Sequence, residues 1–208
     1  MRPRQHTAFT LVELLAVIAV IGLLMAALLP AIKKPQEINR LRTAGEMVSA
    51  VIAQARQETL GRNRLSAVAI TNYSSSQAGQ KIAVFTLELA DDNSSPTEDD
   101  WKQVSAWNTL PTGIVISQPL SSFFSAPPSS ISPDLTDKIS VPGAGDVKSS
   151  TTRRFFLPNG RLAGDKAATI YLHPGYIESG AAQRTAPTLA LKLTVIADTG
   201  VVVREEIF

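Results

Sequence analysis

Ala8-Phe9-Thr10-Leu11-Val12-Glu13-Leu14-Leu15 opens an apolar run that ends near Ile32. From Phe9 to Ile32 the residues are almost all Leu, Ile, Val, Ala, Met or Phe. As a helix these 24 positions rise about 36 Å, enough for the ~30 Å hydrocarbon core of a bilayer. At the fifth position of the run stands one ionisable residue, Glu13. A carboxylate at such depth costs about 2.5–3.5 kcal/mol on insertion scales, so its first reading is functional and requires a partner.

Two plainer readings compete. A secretory signal peptide has a shorter apolar core, of about 7–15 residues, followed by its cleavage site. An uncleaved membrane anchor accounts for the length of the run but leaves Glu13 without a reason.

The features together resemble the N-terminus of a type IV pilin or a type II secretion pseudopilin. That family has a short basic leader and a cleavage site before a Phe. An apolar helix follows, with Glu at its fifth mature position and a Gly and a Pro further along. Here these are the leader Met1–Ala8, then Phe9, Glu13, Gly22 and Pro30. The chain departs from the pattern only before the cut, where Ala8 replaces the usual Gly. The resemblance implies cleavage by prepilin peptidase between Ala8 and Phe9, N-methylation of Phe9, and assembly through Glu13, Gly22 and Pro30. The implied partners are the peptidase, other pilins of the same filament and the inner membrane. The implied location is a single-pass protein of that membrane, its C-terminal domain periplasmic until it joins a pilus or pseudopilus.

Charge divides the chain. Residues 1–64 hold nine Lys/Arg against four Glu, a balance of +5, whereas residues 65–208 hold eleven against fourteen acidic residues, a balance of −3. The basic excess thus belongs to the leader and helix. Arg2 and Arg4 precede the run and Lys33 and Lys34 follow it, so local positive charge does not choose an orientation. With no cysteine, disulfides, zinc-thiolate sites and thiol catalysis are excluded.

Pro30 and Pro35 loosen the helix without necessarily ending it. Beyond them Ile38, Leu41, Gly45, Val48, Ile52, Ala55 and Thr59 recur at steps of three and four, with Arg40, Arg42, Glu46, Gln54, Arg56 and Gln57 on the other side. This predicts an amphipathic helix over 33–62 whose apolar stripe packs on a sheet, with Gly61 as C-cap candidate. The expected organisation is a leader at 1–8, a transmembrane and assembly helix at 9–32, the amphipathic helix at 33–62, and a β-rich domain at 63–208.

From Leu65 the pattern turns to short β-type runs: Leu65–Tyr73, Lys81–Leu89, Gln103–Trp107, Gly113–Ser117, Arg153–Leu157, Ala168–Leu172, Thr188–Ala197 and Val201–Glu206. Leu189, Leu191, Leu193 and Val195 alternate with Ala190, Lys192, Thr194 and Ile196, the period of a half-buried strand. Asp198-Thr199-Gly200 reads as the tight turn of a closing hairpin. The fold class is therefore α+β: one long helix, half in lipid, packed on an antiparallel β-sheet domain, as in pilins.

Residues 118–150 contain nine Ser, five Pro and two Gly and read as a surface insertion anchored by Phe123 and Phe124. Asp91, Asp92, Glu98, Asp99 and Asp100 form an acidic loop whose spacing fits no EF-hand; a solvated turn is the preferred reading over a calcium site. Phe155-Phe156-Leu157-Pro158-Asn159-Gly160-Arg161, the closing hairpin at Thr199-Gly200 and the helix end Ala55–Arg64 resemble the H-type pseudopilins and the FimT-like minor pilins. Physically, Pro158-Asn159-Gly160 is also an ordinary turn.

An enzyme lacks parts here. The mature chain has one histidine, His173, read as a turn residue beside Pro174-Gly175, and no Gly-x-Ser-x-Gly elbow or phosphate loop. No cofactor, metal or small-molecule substrate is expected. Nucleic-acid binding would need a clustered basic face, for which Arg153, Arg154, Arg161, Lys166 and Arg184 are the candidates; the −3 balance argues against DNA. The expected function is a minor pilin or pseudopilin, with an uncleaved membrane-anchored binding module or a DNA-uptake minor pilin as alternatives.

Overall fold

Neither proline breaks the helix: α1 runs from Leu11 to Arg62 through Pro30 and Pro35. The computed structural model describes residues 11–71, 80–88, 100–117, 120–124, 151–164, 166–178, 181–186 and 188–207. The chain falls into two units, Met1–Asn39 and Arg40–Phe208.

In the second unit the α1 stripe is buried as its spacing predicts. Leu41, Ala44, Val48, Ile52, Ala55 and Thr59 are at most 1% exposed, while Arg40, Arg42, Glu46 and Gln57 face solvent. Gly45 belongs to that stripe because there is no room for more. A methyl group on it would stand 2.2 Å from Leu191 Cδ2. The helix end corrects the expected cap. Gly61 lies inside α1, and the residue with left-handed backbone is Asn63, at φ 51°. Asn tolerates that conformation better than most side chains, which is why it can replace Gly just past a helix.

The expected antiparallel β domain behind the helix is built of two sheets. In the first, β3 (Trp101–Gln103), β2 (Lys81–Leu87), β1 (Ser66–Thr71) and β6 (Thr151–Phe156) are adjacent in that order, with β4 (Asn108–Thr109) also on β2. In the second the order is β10 (Val202–Ile207), β9 (Ala190–Val195), β7 (Ala168–Glu178) and β5 (Ile114–Ile116), with β8 (Ala181–Arg184) also on β7. Strands β4 and β8 have no counterpart among the expected runs, and β3 starts two residues ahead of its run.

The main core lies between the α1 stripe and the inner faces of both sheets, joining Val68, Ile70, Ile82 and Val84 to Ile170, Leu172, Leu191 and Leu193. Adjacent residues on a strand point to opposite faces, so Phe156 enters this core while Phe155 joins Phe85, Trp101 and Ala69 in a second cluster. Gln80 ties the sheets together. Its carbonyl accepts from Leu110 N–H at 2.9 Å, and its side-chain Oε1 accepts from Ile116 N–H of β5 at 2.6 Å.

His173-Pro174-Gly175 is not the expected turn but the middle of β7. The strand pairs with β9 as far as Leu172 and with β8 from Gly175 onward, so Pro174 falls at the change of partner. A missing N–H costs little there. Gly175 is needed because a Cβ would lie 2.0 Å from the carbonyl oxygen of Gln183 on β8.

Of the Ser/Pro-rich segment, 120–124 is described: Ser122–Phe124 forms a short 3-10 turn, and Phe123 is fully buried in the main core. Phe123 therefore anchors the loop as expected. The remainder at 118–119 and 125–150 and the acidic loop at 91–99 lie outside the described residues.

Candidate assembly site

Glu13 stands within α1, among the first described residues of the helix. From Leu11 to Met25, eleven large apolar side chains are 49–81% exposed, and they occupy every side of the helix. A helix apolar all round belongs in lipid or inside an assembly rather than in water. Gly22 sits among them with open space around its Cα. Pro30 lies within α1, but its side chain, like those of the other residues from 27 to 34, is outside the description, and Ala8 and Phe9 lie outside it altogether. Among the described residues, no helix is long and apolar enough to cross a membrane.

The helix carries a second constellation at its other end. Gly160 and Gly200 both have left-handed backbone, at φ 76° and 64°. Gly160 N–H closes its turn on Leu157 O at 2.8 Å, and Gly200 N–H bonds Ile196 O at 2.7 Å. A Cβ on Gly160 would meet Leu60 Cδ2 at 2.9 Å, and one on Gly200 would meet Gly160 O at 2.9 Å and Arg56 Cδ at 3.0 Å. The three stretches of the C-terminal resemblance thus meet at one place. Arg161 pairs with Asp198 across the two turns, and Leu162 N–H bonds Ala197 O at 2.9 Å. A buried polar chain fixes the same helix end to β1: Thr59 donates to the Ser66 hydroxyl, which donates to Ala55 O at 2.7 Å. Sequence reasoning had no signal for this last link.

Ion pairs hold α1 to the edge strand β10. The Arg42 guanidinium makes a two-point contact with Glu206, at 2.8 and 3.0 Å, and Glu46 lies 3.8 Å from Arg204. The hydrogen-bonded pair raises the Arg42 pKa and lowers that of Glu206. Both partners are exposed, so the contact orients rather than stabilises much.

The basic candidates for nucleic acid do not form one free face. Arg154 is 8% exposed, with its pKa lowered by burial, and Arg161 is taken by Asp198. Arg184 and Lys166 are exposed, and the side chain of Arg153 lies outside the description. Among the described residues, no group of three or more His, Cys, Asp or Glu could hold a metal ion.

Residues 3–29 match the model of the prokaryotic N-terminal methylation motif. The N-terminus carries a prokaryotic N-terminal methylation motif. The methylation motif takes in Ala8, Phe9, Glu13 and Gly22 and stops one residue short of Pro30. No curated protein matches the chain. Among solved structures, the type IV minor pilin FimU of Pseudomonas aeruginosa is 14% identical, with a TM-score of 0.41 over 81% of this chain and 90% of that one. The minor pseudopilin EpsH from the Type 2 Secretion System of Vibrio cholerae is 10% identical, with a TM-score of 0.42 over 80% and 97%. It is the methylation motif, not these likenesses, that identifies the N-terminus.

Proposed function

We propose that this chain is a minor pilin or pseudopilin. It is a structural subunit rather than an enzyme, cut by prepilin peptidase between Ala8 and Phe9, methylated at Phe9, and assembled through its N-terminal helix with other pilins. The observation that carries this is the methylation motif over 3–29, which sets Glu13 in a helix apolar on every side. Before assembly the helix would hold the protein in the inner membrane with residues 40–208 outside. Either a type II secretion pseudopilus or a type IV pilus would take such a subunit. The buried Arg154 and the paired Arg161 weigh against DNA as the partner.

Cleavage before Phe9 creates an ammonium group four residues from Glu13. Across neighbouring subunits the carboxylate of one would meet the amine of the next, and a charge pair in apolar surroundings would fix axial register as helices pack side by side. Glu13→Ala is expected to insert in the membrane normally while losing incorporation, and Glu13→Gln tests the charge at nearly constant shape. The measurement is crosslinking to the other pilins of the same system. Unchanged crosslinking in both variants would refute the register role. Mass spectrometry after co-expression with a prepilin peptidase should find a chain starting at Phe9; an intact Met1 would favour the uncleaved anchor.

A further inference from the structure

His173 is only 2% exposed, in the stretch of β7 that passes from β9 to β8. Its Nδ1 lies 3.1 Å from the carbonyl oxygen of Leu189, at the entry to β9. A carbonyl only accepts, so Nδ1 carries the proton and the ring is held as that tautomer. Nε2 is then a bare acceptor, buried and, among the described residues, without a hydrogen-bond partner. A second proton would place an unanswered N–H and a positive charge inside the fold. The surroundings offer that charge no relief. Tyr171 stacks on the ring at 6.3 Å with 13° between planes, and β5 presents Val115 opposite it. The charged groups on the adjoining strands are cations: Arg184 on β8, and Lys192 on β9, whose ammonium is already taken by Glu205 at 2.7 Å. Thr185 N–H reaches Pro174 O at 2.9 Å, and Leu189 N–H reaches Ala186 O at 3.2 Å.

We infer that His173 is an acid-sensitive latch: neutral, it fastens Leu189, at the entry to β9, to β7, and protonated, it releases that hold. Burial keeps its pKa below the ordinary histidine value and the Arg184 charge adds to this, while the bond to Leu189 acts in the opposite direction. The closed form thus binds its proton more weakly than the open form. Closure is complete above the open-state pKa of about 6.5 and is lost as pH falls below it. The loss is about tenfold per pH unit until the closed form takes the proton too.

The test uses the full chain in detergent micelles. Hydrogen exchange at Thr185 and Leu189, corrected for intrinsic rates, is compared between pH 7.5 and 5. The expected result is a loss of protection there at pH 5, with β1 and β2 unchanged, and no such loss in His173→Gln, whose amide can still donate to Leu189. Equal protection at both pH values, or the same loss in His173→Gln, would overturn the latch. If His173→Gln does not fold, histidine NMR on the wild type decides, since His6 is the other histidine. A neutral Nδ1–H tautomer titrating below 6.5 in step with the exchange supports the latch. An Nε2–H tautomer, or titration without loss of protection, refutes it.

Discussion

Gly45→Ala should destabilise the fold even though it replaces the poorest ordinary helix former with the best. In an exposed helix the change is worth about 0.8–1.0 kcal/mol in favour of Ala. Here the new Cβ would stand 2.2 Å from Leu191 Cδ2, where carbon atoms ordinarily rest about 3.5–4.0 Å apart. Leu191 is 3% exposed, and Leu172 Cδ1 closes the site from another side at 3.9 Å, so the Leu191 side chain has little space to turn into. Overpacking of this kind costs about 1–3 kcal/mol, which leaves a net loss on the order of 1 kcal/mol. Leu191→Ala alone should cost about 2–5 kcal/mol through the cavity it leaves. With Leu191→Ala already in place the clash disappears, and Gly45→Ala should become stabilising by roughly its propensity gain. The double-mutant cycle should therefore give a coupling of about 1–3 kcal/mol between the two sites. Urea unfolding followed by the fluorescence of Trp101 and Trp107, the two tryptophans of the chain, reads all four proteins. If Gly45→Ala alone raised stability by its full helix propensity, the close approach of α1 to β9 would be refuted.

Phe123→Ala should cost about 3–5 kcal/mol in the same unfolding assay, because its ring is fully buried in the main core; a surface value under about 0.5 kcal/mol would detach the Ser/Pro-rich segment from that core. Gln80→Ala should cost about 1–3 kcal/mol by stranding the buried Ile116 N–H, and a neutral result would remove Gln80 as the tie between the sheets. Asn63→Gly should be neutral or slightly stabilising and Asn63→Ala destabilising by about 1 kcal/mol, as a left-handed position requires; the reverse order would return the cap to Gly61.

Some of this was written locally and could be read from it. The Phe9–Ile32 run with Glu13 is a pattern of adjacent residues, and so is the three-and-four spacing from Leu41 to Thr59. Both come from the geometry of one helix, which the chain specifies without reference to distant partners. The alternation along β9 and the turn at Asp198-Thr199-Gly200 are local in the same sense, and both stand in the structure. Other features depended on what lies across the fold. Gly45 and Gly175 look like any glycines until Leu191 and the Gln183 carbonyl come within reach of them. His173-Pro174-Gly175 spells a turn in isolation, yet β7 continues through it because β9 and β8 take over from one another at that point. The tie between the two sheets turned on Gln80 and Ile116, 36 residues apart and joined by a hydrogen bond that no local period announces. The sequence by itself determined the helix, its motif and the α+β class; tertiary structure alone decided where backbones approach too closely for a side chain, because steric contact and buried hydrogen bonding exist only once distant segments meet.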